Sequence, residues 1–192
     1  MKKNNLEIRQ FECHELRAEK DKKGKAKVKG YAAVFNSLSE DLGGFKERIN
    51  PTAFDNVLDN DVVALFNHDN NMVLGRSTAG TLKLSVDERG LYTEIDMPNT
   101  TLGNDLTELV ARGDISKMSF GFYVNRDDWE ESERGFIREV KEVKRLVDVS
   151  LVTRPAYNDT HAAVRSLDVF KQSKTENKTI NKLKVKLLKL KK

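Results

Sequence analysis

From Leu6 to Thr153 the chain is divided into short apolar runs, each a few residues long and bounded by charged or turn-forming residues. Runs of that length with polar residues in alternation favour strands over helices. Leu6 to Ala18 alternates as a strand, and Lys20 to Lys27 reads as a charged turn around Gly24. Val28 to Phe35 reads as a buried strand, Ser37 to Gly44 as a loop and Phe45 to Ile49 as a short strand. Asp61 to Asn67 is an apolar strand that ends at His68. Thr81 to Val86 and Leu91 to Met97 flank Asp87-Glu88-Arg89-Gly90, which has the turn chemistry of a hairpin. Ile115 to Val124, Phe136 to Val143 and Arg145 to Thr153 supply further strands, with a charged hairpin region from Asn125 to Arg134 and a stop at Pro155.

Two helices interrupt this series. Asn50-Pro51 opens one that runs to about Leu58, with Asn as the cap and Pro at the first position. Asn104 to Arg112 has Leu102, Leu106, Leu109 and Val110 at helical spacing and closes at Gly113. Strands without a βαβ rhythm imply a mostly β, α+β chain: an antiparallel barrel or sandwich with helices attached.

The 192 residues fit one folded domain with a tail. No apolar run approaches the length of a membrane span, and none of signal-peptide length follows Met1-Lys2-Lys3. The chain is therefore expected to remain where it is made. A lone cysteine, Cys13, leaves no internal disulfide and suits a reducing cytoplasm. The net charge of +4 hides an asymmetry. Nine lysines and one glutamate between Lys171 and Lys192 give that segment +8, leaving the rest of the chain at −4. A mildly acidic body argues against a specific nucleic-acid role, while the tail suits a polyanion or an acidic partner. Ser173 to Thr179 reads as a polar linker; beyond it Ile180, Leu183, Leu187 and Leu190 fall on one helical face, while Lys184-Val185-Lys186-Leu187 also alternates like a strand, so both forms stay open. The expected division is a body over 1–166, with a barrel core at about 28–157, and a linker and basic tail over 167–192.

Two of the apolar runs contain a polar residue where packing favours another apolar one. Ser119 lies in Lys117-Met118-Ser119-Phe120-Gly121-Phe122, and His68 ends Ala64-Leu65-Phe66-Asn67-His68. With their strands side by side, a hydroxyl meets an imidazole, the minimum for a serine nucleophile. In Leu146-Val147-Asp148-Val149-Ser150-Leu151-Val152-Thr153, alternation puts Asp148, Ser150 and Val152 on one face. A carboxylate in such a run needs a partner, and an imidazole can be that partner.

The order of segments resembles the prohead (capsid maturation) protease family of tailed bacteriophages, whose fold is similar to the herpesvirus assembly protease. The resemblance rests on Gly30-Tyr31-Ala32-Ala33-Val34-Phe35, Phe45-Lys46-Glu47-Arg48-Ile49-Asn50-Pro51-Thr52-Ala53-Phe54, and Leu65-Phe66-Asn67-His68-Asp69 with Leu74-Gly75-Arg76. Met118-Ser119-Phe120-Gly121-Phe122 and Asp148-Val149-Ser150-Leu151-Val152-Thr153-Arg154-Pro155-Ala156-Tyr157 complete it. Each motif is weak alone, but five in order over Gly30 to Tyr157 are specific.

The resemblance implies an antiparallel barrel surrounded by a few helices, with Ser119 as nucleophile, His68 as general base and Asp148 as the group that orients it. It implies a serine endopeptidase that needs no cofactor or metal and trims scaffolding segments of the major capsid protein precursor, and its own chain, inside an assembling prohead in the host cytoplasm. Self-association and contact with the portal are further partner expectations; a membrane is not. Lys171 to Thr179 is the expected self-cleavage region. His161 is the fallback third member, since herpesvirus relatives use a second histidine. Ser116 is expected to face away from Ser119, Asp69 to serve a turn, and His14 to be structural. Arg76 and Arg154 are candidates for positioning water or the oxyanion, and Trp129 is expected to pack in a hairpin. A non-catalytic assembly protein with the same fold, or an esterase, are the rival readings.

Overall fold

The structure is a computed structural model, which describes residues 6–12, 15–20, 24–133, 135–153 and 160–190. The elements are β1 (Glu7–Glu12), β2 (Arg17–Lys20), β3 (Ala26–Val34), β4 (Phe45–Ile49), β5 (Val63–Phe66), β6 (Asp69–Arg76), β7 (Leu82–Val86) and β8 (Gly90–Asp96). Then come α1 (Thr101–Arg112), β9 (Lys117–Ser132), β10 (Gly135–Val152) and α2 (Thr160–Leu190). The protein is thus mostly β with two helices. One sheet runs β1-β9-β10-β5-β6 with β4 also paired to β10, and the other runs β2-β3-β8-β7. Among the described residues these ladders do not close into the barrel expected from the sequence.

β10 organises the first sheet. Along one edge it pairs antiparallel with β9 over almost its whole length. Its other edge is shared by two parallel strands, β4 beside Phe136–Val140 and β5 beside Asp148–Leu151. The break expected between Val143 and Arg145 is a set of bulges within one continuous strand. Alternation sends Met118, Phe120 and Phe122 of β9, and Val149 and Leu151 of β10, into the core. There Phe54 meets Phe120 edge-on at 5.6 Å, and Phe120 stacks on Phe122 at 4.6 Å.

Three expectations change. The single strand from Leu6 to Ala18 is two: β1 pairs with β9 and β2 with β3, in different sheets. Cys13 and His14, between them, lie outside the described residues. The helix expected from Asn50 to Leu58 is a succession of turns closed by bonds such as Ala53 N–H to Asn50 O and Val57 N–H to Phe54 O. The Ala53 carbonyl accepts the Val143 N–H of β10 at 2.8 Å, so the neighbouring strand takes an acceptor that a helix would have used. β6 was not anticipated, because Asp69-Asn70-Asn71 is polar and four of its residues, Asn70, Asn71, Met72 and Leu74, have no partner in its ladder with β5.

α1 ends at the expected glycine but begins at Thr101, ahead of the expected Asn104. Thr100 caps its N-terminus by accepting the Gly103 N–H, and Gly113 ends it at φ 84°, where a side chain would be strained. α2 runs as one helix across the expected linker and boundary. Ala163, Leu167 and Phe170 form a face that docks on Phe45, Trp129 and Phe136. Phe170 stacks on Trp129 at 4.9 Å, and Trp129 in turn contacts Phe45. Burying such side chains stabilises by about 2 kcal/mol each, which outweighs the weak polar preference of the adjoining segment. Beyond it Ile180 and Leu183 are exposed.

Candidate active site

The β9–β10 ladder sets the site's floor. Ser119 pairs with Ser150 and Gly121 with Asp148, so all four project to the face opposite the Phe120 core. Ser119 and Ser150 are fully buried, and Asp148 nearly so.

His68 arrives from the other side of β10. The strands that carry Ser119 and lead to His68 are not side by side, as the sequence suggested; β10 lies between β9 and β5. Phe66 pairs with Asp69, leaving Asn67-His68 as a two-residue turn with φ of 51° and 58°. Two consecutive left-handed residues are the mark of the primed hairpin turn that matches strand twist. Asn tolerates this conformation; for His it costs about 1 kcal/mol or more and persists only where neighbours enforce it. They do. Asn67 donates its N–H to the Leu151 carbonyl at 2.9 Å and its side-chain oxygen accepts the Thr153 N–H at 3.1 Å. The turn is thereby fixed to β10, and the imidazole reaches across that strand.

The result is a continuous chain of contacts. His68 Nδ1 lies 2.6 Å from Asp148 Oδ1, and His68 Nε2 lies 2.7 Å from Ser119 Oγ. Nδ1–H donating to the carboxylate leaves Nε2 with a lone pair aimed at the hydroxyl, the tautomer a general base needs. Ser150 donates its hydroxyl to Asp148 Oδ1 at 2.8 Å, so it supports the carboxylate. The contact follows from the face that the two residues share along the strand. Ser119 Oγ also sits 2.9 Å from the Arg9 carbonyl of β1. One hydroxyl proton cannot serve both acceptors, so the Arg9 carbonyl competes with His68 for it.

Gly121 was not read from the sequence, although its position two residues after Ser119 on the same face could have signalled it. A Cβ there would stand 2.3 Å from Asp148 Oδ2, far inside contact distance. Gly121→Ala therefore displaces the carboxylate from His68. The expected outcome is at least a roughly tenfold slower reaction of Ser119 with a fluorophosphonate, read by intact mass. A wild-type rate would mean that Asp148 relaxes without consequence for the ring.

The other sequence candidates fall elsewhere. Arg76 makes a two-pronged ion pair with Asp61 at the surface. Ser116 is exposed and precedes β9, and Asp69 accepts the Asn71 N–H in its turn, as expected. Trp129 packs at the hairpin, under α2. Arg154 and the side chain of His161 lie outside the described residues. Among the described residues no three metal-ligating side chains cluster, and no helix is long and apolar enough to cross a membrane.

Comparisons with known proteins bear on the fold and the family. The solved structure of the bacteriophage T4 capsid assembly protease, gp21, aligns with a TM-score of 0.53 at 10% sequence identity, covering 77% of this chain and 97% of that one. At that identity the likeness speaks for the fold. No curated protein matches the sequence. A family model for the caudovirus prohead serine protease matches residues 13–175, most of the chain and every part of the site described above except β1. By that match the chain belongs to the caudovirus prohead serine protease family.

Proposed function

We propose that Ser119, His68 and Asp148 are the nucleophile, general base and orienting acid of this capsid maturation protease. The observation that carries the reading is the unbroken Asp148–His68–Ser119 contact chain at 2.6 and 2.7 Å, assembled from three separate segments. As Ser119 Oγ attacks a peptide carbonyl, its proton passes to His68 Nε2, and Asp148 stabilises the imidazolium. The same proton then goes to the leaving amine, and water releases the acyl group from Ser119. Because Ser119 is fully buried here, a peptide reaches it only after the face over β9 opens. Latency before assembly follows from that burial and from the competing Arg9 carbonyl.

The proposed substrates are scaffolding segments of the major capsid protein precursor within the assembling prohead, in the host cytoplasm. The isolated parallel bridge between Phe35 and Ile49 supports reading the two sheets as one barrel-like wrap of the assembly-protease kind. The body over 1–166 is the proposed protease domain. Self-cleavage at 171–179 remains part of the proposal; that segment is helical, so it must unwind before it can lie extended in the site. Self-association and portal contact are proposed partners of the same assembly step.

The test compares wild type and Ser119→Ala on the capsid precursor, with mass analysis of both chains. Ser119→Ala is expected to lower cleavage about 10⁶-fold, to background, while keeping the fold. Persistent cleavage at defined sites by that variant would remove Ser119 from the mechanism.

A further inference from the structure

We propose that Gln10 binds substrate, its side-chain carboxamide oxygen accepting the backbone N–H of the residue whose carbonyl Ser119 attacks. The inference rests on the Ser119 reading above. Gln10 is the direct cross-strand partner of Ser119 in the β1–β9 ladder. Antiparallel partners project to the same side with Cβ atoms about 5 Å apart, so the carboxamide and the hydroxyl share one face. On β1 the alternate residue, Arg9, turns the other way into a buried cluster with Glu7 and Glu47. That cluster fixes the rotation of the strand and keeps Gln10 on the Ser119 side.

Gln10 Oε1 is buried and has no hydrogen-bond partner among the described residues. Buried polar atoms nearly always have one, so an orphan that faces a nucleophile calls for an account. The missing partner is a donor. A peptide bound at Ser119 brings backbone N–H groups, whereas a small acyl ester brings none.

The position also selects which N–H. His68 reaches Ser119 from the β5 side of β10, and β1 lies on the other side of β9. His68 must hand its proton to the leaving amine, so the leaving half of the peptide lies on the His68 side. Gln10, across Ser119 from the imidazole, then faces the acyl half. Its first available donor is the N–H of the residue that becomes the acyl group.

The experiment uses a peptide from the precursor that spans a cleavage site mapped with wild-type enzyme, and its analogue with that one amide N–H replaced by an ester oxygen. Gln10→Met keeps the side chain's length and removes the acceptor. The expected results are a loss of about tenfold or more in kcat/KM on the peptide for Gln10→Met, a similar loss for wild type on the ester analogue, and no further loss when the two changes are combined. Labelling of Ser119 by a fluorophosphonate, which carries no such N–H, stays at the wild-type rate in Gln10→Met. Peptide cleavage within twofold of wild type, losses that multiply on combination, or slowed labelling in Gln10→Met each overturn the assignment. Wild type that cleaves the precursor without labelling at Ser119 overturns the nucleophile reading itself, and this inference falls with it.

Discussion

Asp148→Asn is expected to lower cleavage of the capsid precursor by about 10⁴-fold, the scale on which a serine triad fails when its base is held in the wrong tautomer. In the native site the carboxylate only accepts, so the ring keeps its proton on Nδ1 at 2.6 Å and offers Nε2 to Ser119. An amide at 148 can donate instead. A donated N–H toward Nδ1 shifts the ring proton to Nε2, where it points at the hydroxyl it should be taking. Ser150 does not restore the native state, because its hydroxyl is 3.3 Å from Nδ1 and is already directed to Asp148. Steady-state cleavage of the precursor, with circular dichroism to confirm the fold, reads the effect. A loss smaller than about tenfold would assign the orienting role to another group.

Arg138→Met is expected to destabilise the folded protein by about 3–5 kcal/mol, the usual consequence of removing one partner from a buried ion cluster. Arg138 donates to Glu7 Oε2 at 2.6 Å, to Glu47 Oε2 at 2.9 Å and to Asp127 Oδ2 at 2.8 Å, and its guanidinium lies 5.5 Å from the Trp129 ring centroid. Methionine fills similar volume but leaves Arg9 as the one guanidinium facing the Glu7 and Glu47 carboxylates, with the Ser166 hydroxyl at 3.3 Å from Glu7. Burial by itself pushes the Glu7 carboxyl up, yet the charges and hydrogen bonds of Arg138 and Arg9 outweigh it and hold the group below its ordinary value. A depressed carboxyl contributes stability above its unfolded value, near 4.5, and loses it as pH falls through the folded one. The variant should therefore lose part of the acid-side pH dependence of stability along with the stability itself. Urea denaturation at pH 7 and pH 4 measures both. The cluster ties β1 to β4 and β10, so cleavage activity should fall further than the folded fraction does. A change below about 1 kcal/mol would show that the carboxylates find other donors.

The three residues of the candidate site were legible in the sequence as polar residues out of keeping with their runs. Ser119, His68 and Asp148 were singled out because a hydroxyl, an imidazole and a carboxylate are costly in apolar strands without partners. Two-residue alternation also placed Ser150 beside Asp148 correctly. Less visible was the turn that carries His68, because Asn67-His68 lacks the glycine that usually announces a primed turn. The polar start of β6 hid the strand that completes that hairpin. The cluster of Glu7, Arg9, Glu47 and Arg138 was not foreseen, since these charges look like an ordinary solvated face until strands far apart in sequence bring them together.

Fixed by the residues alone were the positions of most strands, the face each side chain takes along them, and the glycine that ends α1. These are local properties, set by backbone geometry and near neighbours. Left to the tertiary structure were the insertion of β10 between the strands of Ser119 and His68, the register that sets Gly121 against Asp148, and the docking of α2 on Trp129. Strands pair through backbone groups that every residue carries. Partner and register are therefore chosen by the packing of the whole molecule, and that choice brought the hydroxyl, the ring and the carboxylate into one line.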